Sequence, residues 1–428
     1  MKCEKKGLKC PGYGPHWRWA GGVASRGRLR GQRIPVETEE VEEVVPMCKE
    51  LAPPDSSQST TLQMPSLKHF IDYYEKNIAG LMVWVDSASN DYRRYVIPRA
   101  TEVPGLRFAL AAFASHHGST ALQAKTDFHE SARDAALEAV QKHLQEMNGK
   151  LTSGAELNSH SDLADAEWML AAIMIIASCE TAKSQANLAE SHRMAARRLL
   201  NIFWPRVKAV SPLFSFLRNQ FAIDDVFAST TTFDLEQLRG TILPVGDGMF
   251  SEYLRVIYAV TLMSREGGSM SAKDVRLRFS QAREATLFAA MNLGIADEAK
   301  RGTIRLVDAY DHTGLCFGYR CMGHANVQNW DWVASVEKLF EDFQLMDDAD
   351  VYIQNLHWPV FVAGTESYGN EERQQVVRAW LGKIIRDTGF KHHEDTMNFL
   401  EMFWQGTNED WRPLAQDLQT KGFRVLPV

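Results

Sequence analysis

Cys3 and Cys10 place two thiols near the start of the chain, separated by six residues that include Lys5, Lys6 and Lys9. Thiolates bind zinc, but a structural zinc site takes four ligands, so this pair supplies half a set. On spacing alone, two free thiols in a basic tail is the plainer reading. Asp347, Asp348 and Asp350 form an acidic cluster that would suit magnesium in a helical metal-dependent enzyme. Acids are equally at home near helix N-termini, where the dipole favours them. His116-His117 and His392-His393 are adjacent pairs. Neighbours on a helix diverge by about 100°, which argues against either pair sharing one metal. His116-His117 falls at an expected helix end, where a cation is favourable. Cys316 and Cys321, four residues between them, sit in a Gly-rich stretch from 314 to 323, and His312 and His324 do not complete a zinc set. Buried thiols are the expectation there. No nucleophile elbow, P-loop or dinucleotide fingerprint is present. No catalytic residue is assigned, and the chain reads as a non-enzyme.

The elements that would carry these groups begin with a charge asymmetry. Residues 1–33 hold nine Lys or Arg against one acid, Glu4, whereas the whole chain of 428 residues carries −7. The remainder is therefore at −15, an acidic body behind a basic head. Residues 34–65 pass from a run of glutamates into a Pro, Ser and Thr composition too polar to bury a core, and read as a disordered linker. No secretory signal is visible, and the longest apolar run, Trp168 to Ala177, is half the ~20 residues a bilayer crossing needs. Six cysteines is a low density that suits a reducing compartment.

From residue 66 the pattern turns helical. Ser66 reads as an N-cap, and Leu67, Phe70, Ile71, Tyr74 and Ile78 form one stripe. Pro104 opens a helix that stops near Gly118, and Thr126 begins another that Asn148-Gly149 should end. Asp162 to Glu180 is apolar enough to lie at the centre of the core. Gln185 to Phe203 is amphipathic, with Arg193, Arg197 and Arg198 on its polar side. Helices are also expected over 212–229, 272–293, 329–345, 351–363, 370–386, 394–404 and 409–420. The fold class is all-α, with roughly a dozen helices.

Two sets of residues carry a resemblance. Cys3, Gly7-Leu8-Lys9-Cys10-Pro11-Gly12-Tyr13, Trp17-Arg18-Trp19 and Val23 to Gly27 resemble the last third of the fungal binuclear zinc-cluster motif, in which six cysteines hold two zincs, and the segment that trails it. His69 to Tyr74, Phe221 to Thr230, Leu356 to Gly364 and Asp410-Trp411-Arg412 are similar, in order, to helices of the fungal-specific regulatory domain that follows many such clusters. The resemblance implies a nuclear transcription regulator of RNA polymerase II genes, controlling a nutrient-use or secondary-metabolite gene cluster. The implied layout is a zinc-cluster remnant over 1–33, a linker over 34–65 and a helical regulatory domain over 66–428.

The same resemblance implies zinc in a full-length form, held in part by Cys3 and Cys10. Only Met1 and Lys2 precede Cys3, and Cys48, Cys179, Cys316 and Cys321 stand too far away to replace the first four ligands. With the other ligands missing, this chain by itself is expected to bind little zinc and to hold no cofactor. Lys5, Lys6, Lys9, Arg18, Arg26, Arg28, Arg30 and Arg33 are the candidates for DNA-backbone contacts, which position a protein without reading sequence. Expected partners are DNA in the full-length form, the transcription machinery or a related regulator, and a second copy, with no membrane. Residues 34–65 show no heptads, so a monomer or a dimer formed through the body is expected. A helical interaction protein that has lost DNA reading is the second expectation.

Overall fold

The computed structural model describes residues 64–119, 127–154, 157, 159–206, 211–346 and 352–428. Among these residues it has no strand, as the periodicity requires, and sixteen α-helices where roughly a dozen were expected. The expectations for Cys3, Cys10, Cys48, the basic segment, the linker and the Asp347–Asp350 cluster lie outside the described residues.

The first half of the chain forms α1 (Met64–Asn77), a π-helical turn (Tyr92–Val96), α2 (Ile97–Glu102), α3 (Pro104–His117), α4 (Phe128–Thr152), α5 (His160–Ala182), α6 (Ala186–Phe203) and α7 (Pro212–Thr230). In α1 the stripe Leu67, Phe70 and Tyr74 is buried, as its spacing predicts. The Ser159 side chain accepts from the Asp162 N–H while Asp162 reaches back to the Ser159 N–H, a capping box that starts α5. Trp168 to Ile176 are then buried without a break, because α3, α4, α6 and α7 all pack against this helix. An apolar surface on every side suits only such a central position. Each large side chain buried there contributes about 1.5–3 kcal/mol.

The second half holds α8 (Leu235–Arg239), α9 (Ser251–Arg265), α10 (Ala272–Met291), α11 (Asp297–Cys321), α12 (Trp330–Leu345), a 3-10 turn (Ile353–Asn355), α13 (His357–Thr365), α14 (Glu371–Thr388), α15 (His392–Trp404) and α16 (Arg412–Thr420). Its centre is α13, buried from its first residue to its last. Pro359 stands in the first turn, where a missing N–H costs no hydrogen bond, so it starts the helix without kinking it. Two hydrophobic clusters result, one built on α5 and one on α13. They meet on α7, whose Phe221 and Ala222 belong to the first and Val226 and Phe227 to the second.

Several boundaries differ from the sequence expectation. Helix α1 is already present at Met64, with Ser66 inside it. Helix α4 continues through Asn148-Gly149 to Thr152, and the 351–363 segment divides into the 3-10 turn and α13. Helix α9 carries no strong signal and starts from Phe250 in a left-handed conformation. The Gly-rich stretch from 314 is the end of α11, a 25-residue helix. A Cβ at Gly314 would lie 2.4 Å from the Phe279 ring, and one at Gly318 would lie 2.8 Å from Val275. These glycines are notches that admit α10, and that contact outweighs the ~0.5–1 kcal/mol a helical glycine costs. Among the described residues no helix is long and apolar enough to cross a membrane.

Candidate functional site: a cavity where the two cores meet

Helices α5, α6 and α7 from the first half, and α13, α15 and Tyr310 of α11 from the second, line a cavity of about 140 Å³ that is partly open to solvent. Apolar cavities of about 150 Å³ admit a benzene-sized molecule. One wall is aromatic. Trp358 stacks on Tyr310 at 5.8 Å and lies 5.4 Å from Phe227, and Trp84 meets Tyr310 edge-on at 5.5 Å. The 3-10 turn straps the halves together here. Asn355 Nδ2 donates to the Trp84 carbonyl at 2.7 Å, Gln354 Nε2 donates to the Val83 carbonyl at 3.1 Å, and the Tyr310 hydroxyl donates to the Asn355 carbonyl at 2.8 Å.

The polar side of the cavity holds Glu190, Arg193 and Asp224. Arg193 and Arg197 were expected on the solvent face of α6, and the structure places both in the interior. Asp225 is the reason. Its carboxylate takes Arg197 Nη2 at 2.6 Å and the Ile242 N–H at 2.7 Å, with Arg193 Nε at 3.7 Å. Glu190 pairs with Arg193 and, at 3.0 Å, with Arg424 from the C-terminal segment. Burial opposes ionisation of Glu190, but Arg193 and Arg424 outweigh it and hold the carboxyl below its usual value. Asp224 has no comparable partner. Burial raises its carboxyl to about 7, against a downward pull from Arg193 and with a further push from Asp225.

The remaining polar groups are three histidines. His392 and His393 begin α15, and His357 begins α13. The two neighbours do not diverge as the helix rule predicts. Their ring centroids lie 3.9 Å apart, and His357 is 4.2 Å from His393. The rule does hold for His116-His117, which separate toward His129 and toward Tyr73. Neither of those two is the cation expected at the end of α3. Burial lowers His116 to about 4 and lowers His117 as well. Desolvation therefore outweighs the helix dipole at that position.

Cys316 and Cys321 are buried thiols on α11, as expected, and burial raises both well out of the reactive range. His312 and His324 are engaged elsewhere, with Asp342 at 2.6 Å and the Met270 carbonyl at 2.7 Å. Sequence reasoning missed the cavity altogether. The adjacent pair His392-His393 was the one signal that could have pointed to it, and the third member, His357, could not be paired with it from spacing.

A family model described as the fungal specific transcription factor domain matches residues 69–246 and 292–423. No curated protein and no solved structure matches the chain.

Proposed function

The chain belongs to the fungal specific transcription factor domain family, and we propose that it is a nuclear regulator of RNA polymerase II genes whose helical body responds to a small molecule in the cavity between its two cores. One observation carries the response. The cavity is walled by residues of both clusters, so an occupant that fits one packing of the halves better than another shifts the balance between them. The chemistry of the lining suits a mainly apolar, ring-containing molecule with a few hydrogen-bonding groups.

The basic segment and the Cys3–Cys10 pair belong to the DNA-reading side of this proposal. With the other ligands of a binuclear cluster, Cys3 and Cys10 hold zinc, and Lys5, Lys6, Lys9, Arg18, Arg26, Arg28 and Arg30 approach the phosphates. Its genes would be those of a nutrient-use or secondary-metabolite cluster.

The test is chromatin immunoprecipitation of the tagged full chain in its host, with transcript profiling. Enrichment at a limited set of promoters is expected. An Ala177→Leu variant, which fills part of the cavity, should keep nuclear location and alter the transcript response. A chain spread uniformly through the cell, with no promoter enrichment, would refute the regulator reading. Unchanged transcripts in the variant would refute the cavity's part in it.

A further inference from the structure

His357, His392 and His393 are buried together where α13, α15 and the C-terminal segment meet. One ring nitrogen from each lies within 4.8 Å of the other two. Burial keeps all three neutral, lowering His357 to about 3 and His392 to about 4, and putting His393 well below its usual value. Neutral imidazole is the form that offers a lone pair to a metal.

The hydrogen bonds are incomplete in a particular way. His357 Nδ1 and His392 Nε2 both donate to the main-chain oxygen of Val428, at 2.9 and 3.1 Å. Each ring's lone pair is then on its other nitrogen. For His357 that nitrogen meets only the Thr396 hydroxyl, at 2.8 Å, and for His392 it has no hydrogen-bond partner. His393 has none at either nitrogen. Buried polar groups are rarely left so, and an unpaired one points to a missing ion or water. Metal-binding histidines commonly donate their second N–H to a main-chain carbonyl, which is what two of these rings do.

We infer that His357, His392 and His393 bind one divalent transition-metal ion of the zinc class, with a fourth position open to the cavity. An all-imidazole set favours zinc, copper or nickel over magnesium or calcium. Three neutral ligands leave the fourth position to a water molecule or an anion. This site is separate from any zinc at Cys3 and Cys10. It does not depend on the small-molecule reading, since metal uptake and transcript response are measured independently.

The experiment uses the full chain carrying Cys3→Ser and Cys10→Ser, stripped with a chelator and titrated with Co²⁺ and then Zn²⁺. Uptake of one ion per chain is expected, with the visible absorption of four-coordinate cobalt. Zinc-edge X-ray absorption should show imidazole scattering and no sulfur. His393→Ala, confirmed as folded by circular dichroism, should weaken binding by more than about 100-fold, beyond the loss expected from removing an outer-shell partner. Should that variant not fold, the absorption spectrum of the chain with its histidines intact decides alone. No bound ion, or a shell containing sulfur or lacking imidazole, overturns the inference.

Discussion

Arg197 on α6 and Asp225 on α7 meet at 2.6 Å, with their side chains 8% and 0% exposed. Arg197 also donates to the Gln237 carbonyl at 2.8 Å, and Asp225 accepts the Ile242 N–H, so the pair ties two helices to α8 and to the segment just after it. Two charges out of water are tolerated only when their hydrogen bonds are so occupied. Removing one partner leaves the other buried and unpaired. Asp225→Ala should therefore destabilise the chain by about 3–5 kcal/mol. Lys68→Ala, which breaks an exposed pair with Asp72 at 2.7 Å, should stay within about 0.5 kcal/mol. Urea unfolding of both variants measures the difference, and equal midpoints would refute this account of α6.

Glycine-to-alanine changes should act with opposite signs at two helical positions. At Gly149 in α4 a new Cβ meets nothing within 4 Å, so Gly149→Ala should stabilise by about 0.5–1 kcal/mol through the unfolded chain and the helix propensity. At Gly314 the methyl would press on Phe279, and overpacking of this kind costs about 1–3 kcal/mol, more than the propensity gain. Thermal melts of the two single variants should shift in opposite directions. A stabilised Gly314→Ala would show that α10 is free to move away.

Asp224 should make stability fall as pH rises. Its carboxyl is raised by burial to about 7 in the folded chain, from 3.8 when exposed. Between these values the folded chain holds a proton that the unfolded chain has lost, so the slope of stability with pH is negative across that window. The charge's cost is fully present above about pH 7. The groups around it are Arg193, which favours the charge, and Asp225, which opposes it, with neutral Tyr92 also in electrostatic range. Glu190 and the three neutral histidines line the same cavity. Asp224→Asn should flatten this slope and gain stability relative to the parent chain above about pH 7. Urea midpoints at a series of pH values check it, and parallel curves would count against the buried carboxyl.

How far the fold was legible depended on how local its signals are. Helix α3 was readable at both ends because Pro104 and Gly118 punctuate it within one helix length. The central place of α5 followed from its unbroken apolar run. Helix α11 was obscured because its glycines carry loop propensity, and only Phe279 and Val275, on α10, explain why they are helical. The arginines of α6 looked solvent-facing because amphipathicity assigns charge to water, and the partner that reverses this stands 28 residues away.

The sequence alone determined the helical class and most of the helices, which are written in spacings of three or four residues, and the central place of α5, which is written in its unbroken apolar run; the family was indicated by a resemblance of motifs. The tertiary structure alone decided that Arg197 lies inward against Asp225, that Trp84 and Trp358 share one cavity, and that His357 joins His392 and His393. Those facts depend on which surfaces of α6, α7, α13 and α15 bury one another. A residue's own periodicity carries no information about a partner on another helix, so the same histidine or arginine reads as solvated until the packing shows what encloses it.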